Sequence, residues 1–271
     1  MISGKPSPID PATYCQISYP KSIFSSITST SFAKRSNMTK QKNRISIGAI
    51  VTFYVIAVAV RYATNKTSLL SHLPTDALRI ILQGAGPAVA ALIVMLAFRI
   101  KPTQTLWGSY HNKMGTLLLF WGLPFLAVGI ITWIYKGAFT TVIFPILMYG
   151  LLEEIGWRGF LHPSLSALPK FANIFLVAVL WFIWHLNFEL SMANASFFCI
   201  LLLSSWGLYA VANKTHSLIA LSAFHAIYDI YAAADNKSTA LTVTLVAIFL
   251  IWIGYVVRSN KTAGSIVAIN G

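Results

Sequence analysis

Long apolar runs alternate with short polar connectors along this chain, and that alternation limits its fold more than any other feature. A helix that crosses a bilayer needs roughly 20 mostly apolar residues, because lipid cannot satisfy an unpaired backbone N–H or C=O. Eight stretches meet the requirement, at about 45–63, 78–99, 115–135, 140–162, 171–190, 194–212, 215–234 and 238–257. Connectors such as Asn213-Lys214 and Asp235-Asn236-Lys237 leave no room for a second soluble domain. The expected fold class is therefore all-α, a polytopic membrane helix bundle of about eight transmembrane helices. Composition agrees: 56% of the 271 residues are hydrophobic and only 10% are charged, whereas a soluble domain carries about 25% charged residues.

Residues 1–45 are rich in Ser, Thr and Lys without a sustained apolar period, and are expected to form a basic, mostly disordered tail. No apolar core of a cleavable signal peptide is present there. Met38 opens a compact basic run against the first apolar stretch and is a candidate translation start. The transmembrane domain is expected over 46–258, followed by a short C-terminal tail at 259–271. The net charge of +13 is spread over the tail and short loops. That distribution suits topology signals and anionic lipid headgroups, and it argues against a nucleic-acid partner. With the N-terminus inside, fourteen Lys and Arg residues flank the inner ends of the spans and five (Arg61, Lys66, Arg79, Lys136 and Lys237) flank the outer ends. Both termini are therefore expected on the cytoplasmic side. Cys15 and Cys199 belong to no metal or disulfide pattern.

Against this apolar background, Tyr149-Gly-Leu-Leu-Glu-Glu-Ile-Gly-Trp-Arg-Gly-Phe-Leu161 stands out, because it places Glu153, Glu154 and Arg158 within one apolar run. The whole chain has only seven acidic residues. A charge at bilayer depth costs ~2.5–3.5 kcal/mol even on the most lenient insertion scale, so such residues point to function. At 100° per residue, Glu154 and Arg158 share a helix face and can pair, while Glu153 lies well around the axis from Arg158. Arg158 is thus expected to hold Glu154 as a structural pair and leave Glu153 available as a base. A single buried Glu–Arg pair would read as helix glue; the adjacent second carboxylate favours chemistry.

Two more polar points interrupt apolar runs. His185 ends Trp181-Phe-Ile-Trp-His, and His225 precedes Asp229 by one helical turn in Phe224-His-Ala-Ile-Tyr-Asp229. Asp229 is placed to orient His225. A lone intramembrane histidine is more often an interhelical hydrogen bond than a catalyst. Here the polar groups fall on three helices and must meet, since lipid cannot satisfy them. With neutral histidines the six groups sum to a formal charge of about −2, so either one carboxylate carries a proton or one histidine is charged.

Glu-Glu-x-x-x-Arg, then aromatic-x-x-x-His, then His-x-x-x-Asn/Asp, on successive membrane helices, resembles the CPBP intramembrane proteases. That family comprises the type II CAAX prenyl endopeptidases and bacterial relatives described as abortive-infection or bacteriocin self-immunity proteins. The resemblance covers about residues 115–257. It implies an intramembrane endopeptidase acting on a peptide or protein substrate at the membrane, of the prenylated CAAX or leader-peptide type. It further implies that Glu153 and His185 activate the hydrolytic water, that His225 and Asp229 position the scissile carbonyl and its oxyanion, and that Glu154 and Arg158 support them. Two departures matter. Trp181 stands where the motif commonly has Phe, a change of volume at the pocket. Asp229 stands where some members have Asn, and an ionised Asp cannot donate to an oxyanion, which leaves it the role of orienting His225 with His225 as donor.

Glu, His, His and Asp would suit zinc by ligand type, and the metalloprotease label persists in the family. No His-Glu-x-x-His is present, however, and the expectation is a glutamate-type enzyme with no metal or other cofactor. The rival expectation is a catalytically silent immunity or regulatory protein, or a transporter, that shares the fold. The full set of six motif residues favours catalysis, and no paired broken helices in two halves suggest a transporter. The short loops point weakly to a bacterial plasma membrane.

Overall fold

The computed structural model describes residues 46–134, 140–234 and 237–269. The expectations about the 1–45 tail, Met38, Cys15, Lys136 and the Asp235-Asn236 connector fall outside these residues. Among them the architecture is all-α, and each of the eight apolar stretches is helical. Helix α1 covers Ile47–Lys66, α2 Asp76–Gln83, α3 Ala85–Ala97, α4 Lys113–Ile134, α5 Thr140–Gly156, α6 Lys170–Trp184, α7 Met192–Thr215, α8 Leu218–Ala233 and α9 Thr239–Ile269. Four of these are long and apolar enough to cross a membrane (α1, α4, α7 and the Thr239–Arg258 part of α9), and the bent pair α2–α3 makes a fifth candidate. The apolar helices α6 and α8 are shorter than a full span. The α9 backbone stays helical to Ile269, into the segment expected as a short tail.

The stretch expected as one helix at 78–99 is bent by 47° between α2 and α3. Its sequence accounts for the bend. Pro87 has no N–H to give to the carbonyl of Gln83 one turn earlier, and that carbonyl instead accepts from Arg61 Nη1 at 3.0 Å. The small residues at this bend serve packing. A Cβ on Gly84 would lie 2.7 Å from the Tyr149 ring.

Helix α5 lies at the centre, packed on α2, α3 and α8. Immediately after it the helix widens into a π turn at Trp157–Leu161 and continues through His162–Ser164. Such turns occur often at functional sites, and this one contains Arg158. Gly150 lets α8 approach closely, since a Cβ there would sit 3.1 Å from the Ser222 carbonyl. The start of α8 is fixed by a strap from the loop before α4. The carbonyls of Thr105 and Leu106 accept from the backbone N–H groups of Leu218 and Ile219 at 2.9 and 3.2 Å, and the Ser217 side chain caps Ala220 N–H. The N–H groups left unpaired at a helix start are thereby satisfied, and the register of the helix bearing His225 is set. Outward faces carry exposed Leu, Ile, Val and Phe along α1, α4 and α9, as expected for helices bathed in lipid.

Candidate active site

Glu153 and Glu154 are fully buried and Arg158 is 1% exposed. Adjacent residues of a helix point about 100° apart, so the two carboxylates reach different neighbours. Glu154 Oε1 accepts from Arg158 Nη1 at 2.8 Å and from His225 Nδ1 at 2.7 Å. Arg158 also donates through Nη2 to Ser205 Oγ on α7 at 3.3 Å, and its guanidinium lies 4.5 Å from the centre of the Trp181 ring. The Glu154–Arg158 pair is the one the spacing implied.

Glu153 differs from expectation. It is not a free carboxylate: its Oε2 accepts from the indole N–H groups of Trp157, one turn along the same helix, at 3.1 Å and of Trp181, on α6, at 2.7 Å. Its Oε1 has no hydrogen-bond partner among the described residues, and neither has Glu154 Oε2. The Tyr149 hydroxyl, one turn back from Glu153, also interacts with that carboxyl, and the Tyr149 ring meets the His225 ring edge to face at 6.2 Å.

His225 lies between two carboxylates. Nδ1 contacts Glu154, and Nε2 lies 3.3 Å from Asp229 Oδ2. The second contact lacks hydrogen-bond alignment, because Asp229 Oδ2 remains without a hydrogen-bond partner among the described residues. The principal anchor of the imidazole is therefore Glu154 on another helix rather than Asp229 on its own. Only an imidazolium could donate to both at once.

His185 follows the last residue of α6. Its backbone N–H bonds Phe182, and its Nδ1 meets the Trp181 carbonyl at 2.8 Å. With Nδ1 donating there, a neutral ring keeps its lone pair on Nε2. Leu186, the next residue, adopts the left-handed conformation at φ 56°, a strained choice for a non-glycine residue. No hydrogen bond joins His185 to Glu153 among the described residues; Trp181 touches both.

The two histidines, Asp229, Tyr149, Trp181 and Tyr228 line a cavity of about 40 Å³, room for about one water molecule. An apolar cavity of about 400 Å³ between α7, α8 and α9 shares His225, Tyr228, Ser204 and Leu208 with it. Among the described residues no three of His, Cys, Asp and Glu converge as metal ligands. The structure thus gathers Glu153, Glu154, Arg158, His225 and Asp229 through direct contacts or a shared neighbour, and brings in His185 through Trp181.

Sequence reasoning missed Trp157, Ser205 and the hydrogen-bonding role of Trp181. Trp157 was legible, since it lies four residues after Glu153 and so on its face. Trp181 was noticed for its volume alone, while its N–H is the shorter of the two donors to Glu153. Nothing in the spacing points to Ser205.

The fold and this buried centre define an integral membrane protein that draws carboxylates and imidazoles from three helices into one cluster, beside a small space lined by His185, His225 and Asp229. Residues 135–231, about a third of the chain and the segment that contains all three motifs, match the family model Type II CAAX prenyl endopeptidase Rce1-like, so the resemblance of this core to the CPBP proteases is shown. No curated protein matches the chain.

Proposed function

We propose that the protein is an intramembrane endopeptidase that hydrolyses a peptide bond of a membrane-associated substrate, of the prenylated CAAX or leader-peptide type. The observation that carries this reading is Glu153. It is a fully buried carboxyl with one oxygen held by two indoles and the other without a hydrogen-bond partner among the described residues. Glu154 also keeps an oxygen open, but Arg158 and His225 compensate its charge. Glu153 makes no ion pair among the described residues, and a buried carboxyl without a cation is costly if it serves only to join helices.

In this mechanism Glu153 Oε1 takes a proton from a water that enters beside it with the substrate, as the water oxygen attacks the scissile carbonyl carbon. His185, with Nδ1–H given to the Trp181 carbonyl, accepts the water's other hydrogen at Nε2 and orients it. The carbonyl oxygen becomes an oxyanion and accepts from Nε2–H of a doubly protonated His225, whose Nδ1–H stays on Glu154. Asp229, close to Nε2 but not aligned with it, keeps that ring in place without consuming the donor. Collapse of the tetrahedral intermediate breaks the C–N bond, and the proton held by Glu153 passes to the leaving nitrogen. Arg158 compensates Glu154, which lets the second buried carboxylate remain an anchor. The apolar cavity beside His225 gives a hydrophobic substrate a way to the site, and the Lys and Arg bias puts both termini on the cytoplasmic side.

The test is Glu153→Gln against Glu154→Gln, comparing substrate cleavage with membrane abundance. The first is expected to abolish cleavage at normal abundance. The second is expected to lower abundance as well, because it weakens the pairing of buried Arg158. Equal loss of abundance for both would reduce the cluster to structural glue.

A further inference from the structure

Taking Glu153 as the base, we infer that Trp181 is the positioning residue of the site: its indole N–H fixes Glu153 through Oε2 so that Oε1 is the atom offered to the water, and its backbone carbonyl fixes His185. The terminal torsion of a glutamate is broad and roughly two-fold, so the chain of Glu153 cannot by itself decide which oxygen is bonded and which is left open. Two donors arriving at the same oxygen from different helices decide it. Trp157 N–H comes from α5's own continuation at 3.1 Å and Trp181 N–H from α6 at 2.7 Å. With Glu153 fully buried, bulk water does not compete for either bond.

The same residue reaches the rest of the centre. Its ring lies under the Arg158 guanidinium at 4.5 Å and 5.1 Å from the His225 ring, contacts that hold the indole plane. Because His185 N–H bonds Phe182 rather than the residue four back, the Trp181 carbonyl is free for His185 Nδ1 at 2.8 Å. A Phe here, the residue the motif commonly has, would keep the ring and the carbonyl and lose only the donor to Glu153. The site is therefore built in this chain around a hydrogen bond that Phe cannot make.

The test uses the full chain in proteoliposomes and an internally quenched farnesylated CAAX peptide as probe. Trp181→Phe is compared with Trp181→benzothienylalanine, an isostere with sulfur in place of N–H. Both are expected to lower kcat by about tenfold or more, the scale of one hydrogen bond to a charged group, with KM within about twofold and the isostere folded at normal membrane abundance. An isostere that cleaves at the unaltered rate overturns the inference. If the unaltered protein leaves the peptide uncut, the peptidase reading is what fails on this substrate, and the inference is decided by ultraviolet resonance Raman. The Trp181 indole band, isolated as unaltered minus Trp181→Phe, is expected at the strongly hydrogen-bonded position and to shift to the weakly bonded one in Glu153→Ala. A band unmoved by Glu153→Ala overturns it.

Discussion

Two polar clusters along one helical run, each with a buried histidine, are built in opposite ways. At His162, just beyond the π turn, the polar groups satisfy one another. Nδ1 meets Asn173 Oδ1 at 3.1 Å, Asn173 Nδ2 donates back to the His162 carbonyl at 3.0 Å, Nε2 meets Asn213 Nδ2 at 3.4 Å, and Tyr209 packs edge to face on the ring at 4.6 Å. At Glu153, Glu154 and Asp229 each carboxylate keeps an oxygen without a hydrogen-bond partner among the described residues. Closed polar clusters hold membrane helices together, whereas open ones keep a capacity for a ligand or a water. His162 and Asn173 are buried as the two glutamates are, while Asn213 is exposed, and the main difference lies in what is left unsatisfied.

The comparison is broken or sharpened most strongly at the histidines. His225→Phe is expected to reduce cleavage by about 10²- to 10⁴-fold, the range of a lost acid–base or oxyanion group, while His162→Phe leaves the activity of folded protein unchanged. Cleavage assays normalised to membrane abundance separate the two. Next comes Arg158→Met, which leaves Glu154 buried without its cation and should destabilise by about 3–5 kcal/mol, read as loss of abundance and of thermal stability in detergent. Gly156→Ala tests the packing that brings α5 against α3. A Cβ there would come within 2.7 Å of Pro87 backbone atoms, and overpacking costs about 1–3 kcal/mol, which the same thermal measurement reports. The smallest effect belongs to Asn173→Ala in the closed cluster, about 0.6 kcal/mol on the scale of interhelical hydrogen bonds. A drop in cleavage larger than its drop in stability would give that cluster a part in the chemistry.

Much of this was legible in the sequence. The apolar runs gave the helices, since lipid leaves the backbone few alternatives, and the 100° step gave the Glu154–Arg158 pair. The three-helix gathering of Glu153, Glu154, Arg158, His185, His225 and Asp229 follows from the same scarcity of partners. What escaped was set by approach between helices. Spacing suggested Asp229 for His225 because it is one turn away, yet Gly150 lets α8 come near enough for Glu154 to make the shorter contact. The 47° bend at Gly84 could have been read from Pro87, whereas the π turn at Arg158 depends on how carbonyls are satisfied after packing. Trp181 shows a different blind spot: in an aromatic-x-x-x-His motif its N–H is easily passed over when only side-chain size is compared.

Hydrolysis in water enriched in oxygen-18 tests the central claim most directly. Purified protein in proteoliposomes is given a membrane-anchored peptide, and the new carboxyl terminus is weighed by mass spectrometry for the unaltered chain and for Glu153→Gln. A single heavy oxygen in the product of the unaltered chain, with no product from Glu153→Gln at equal abundance, is the predicted result. Labelled product forming at the unaltered rate from Glu153→Gln would contradict it.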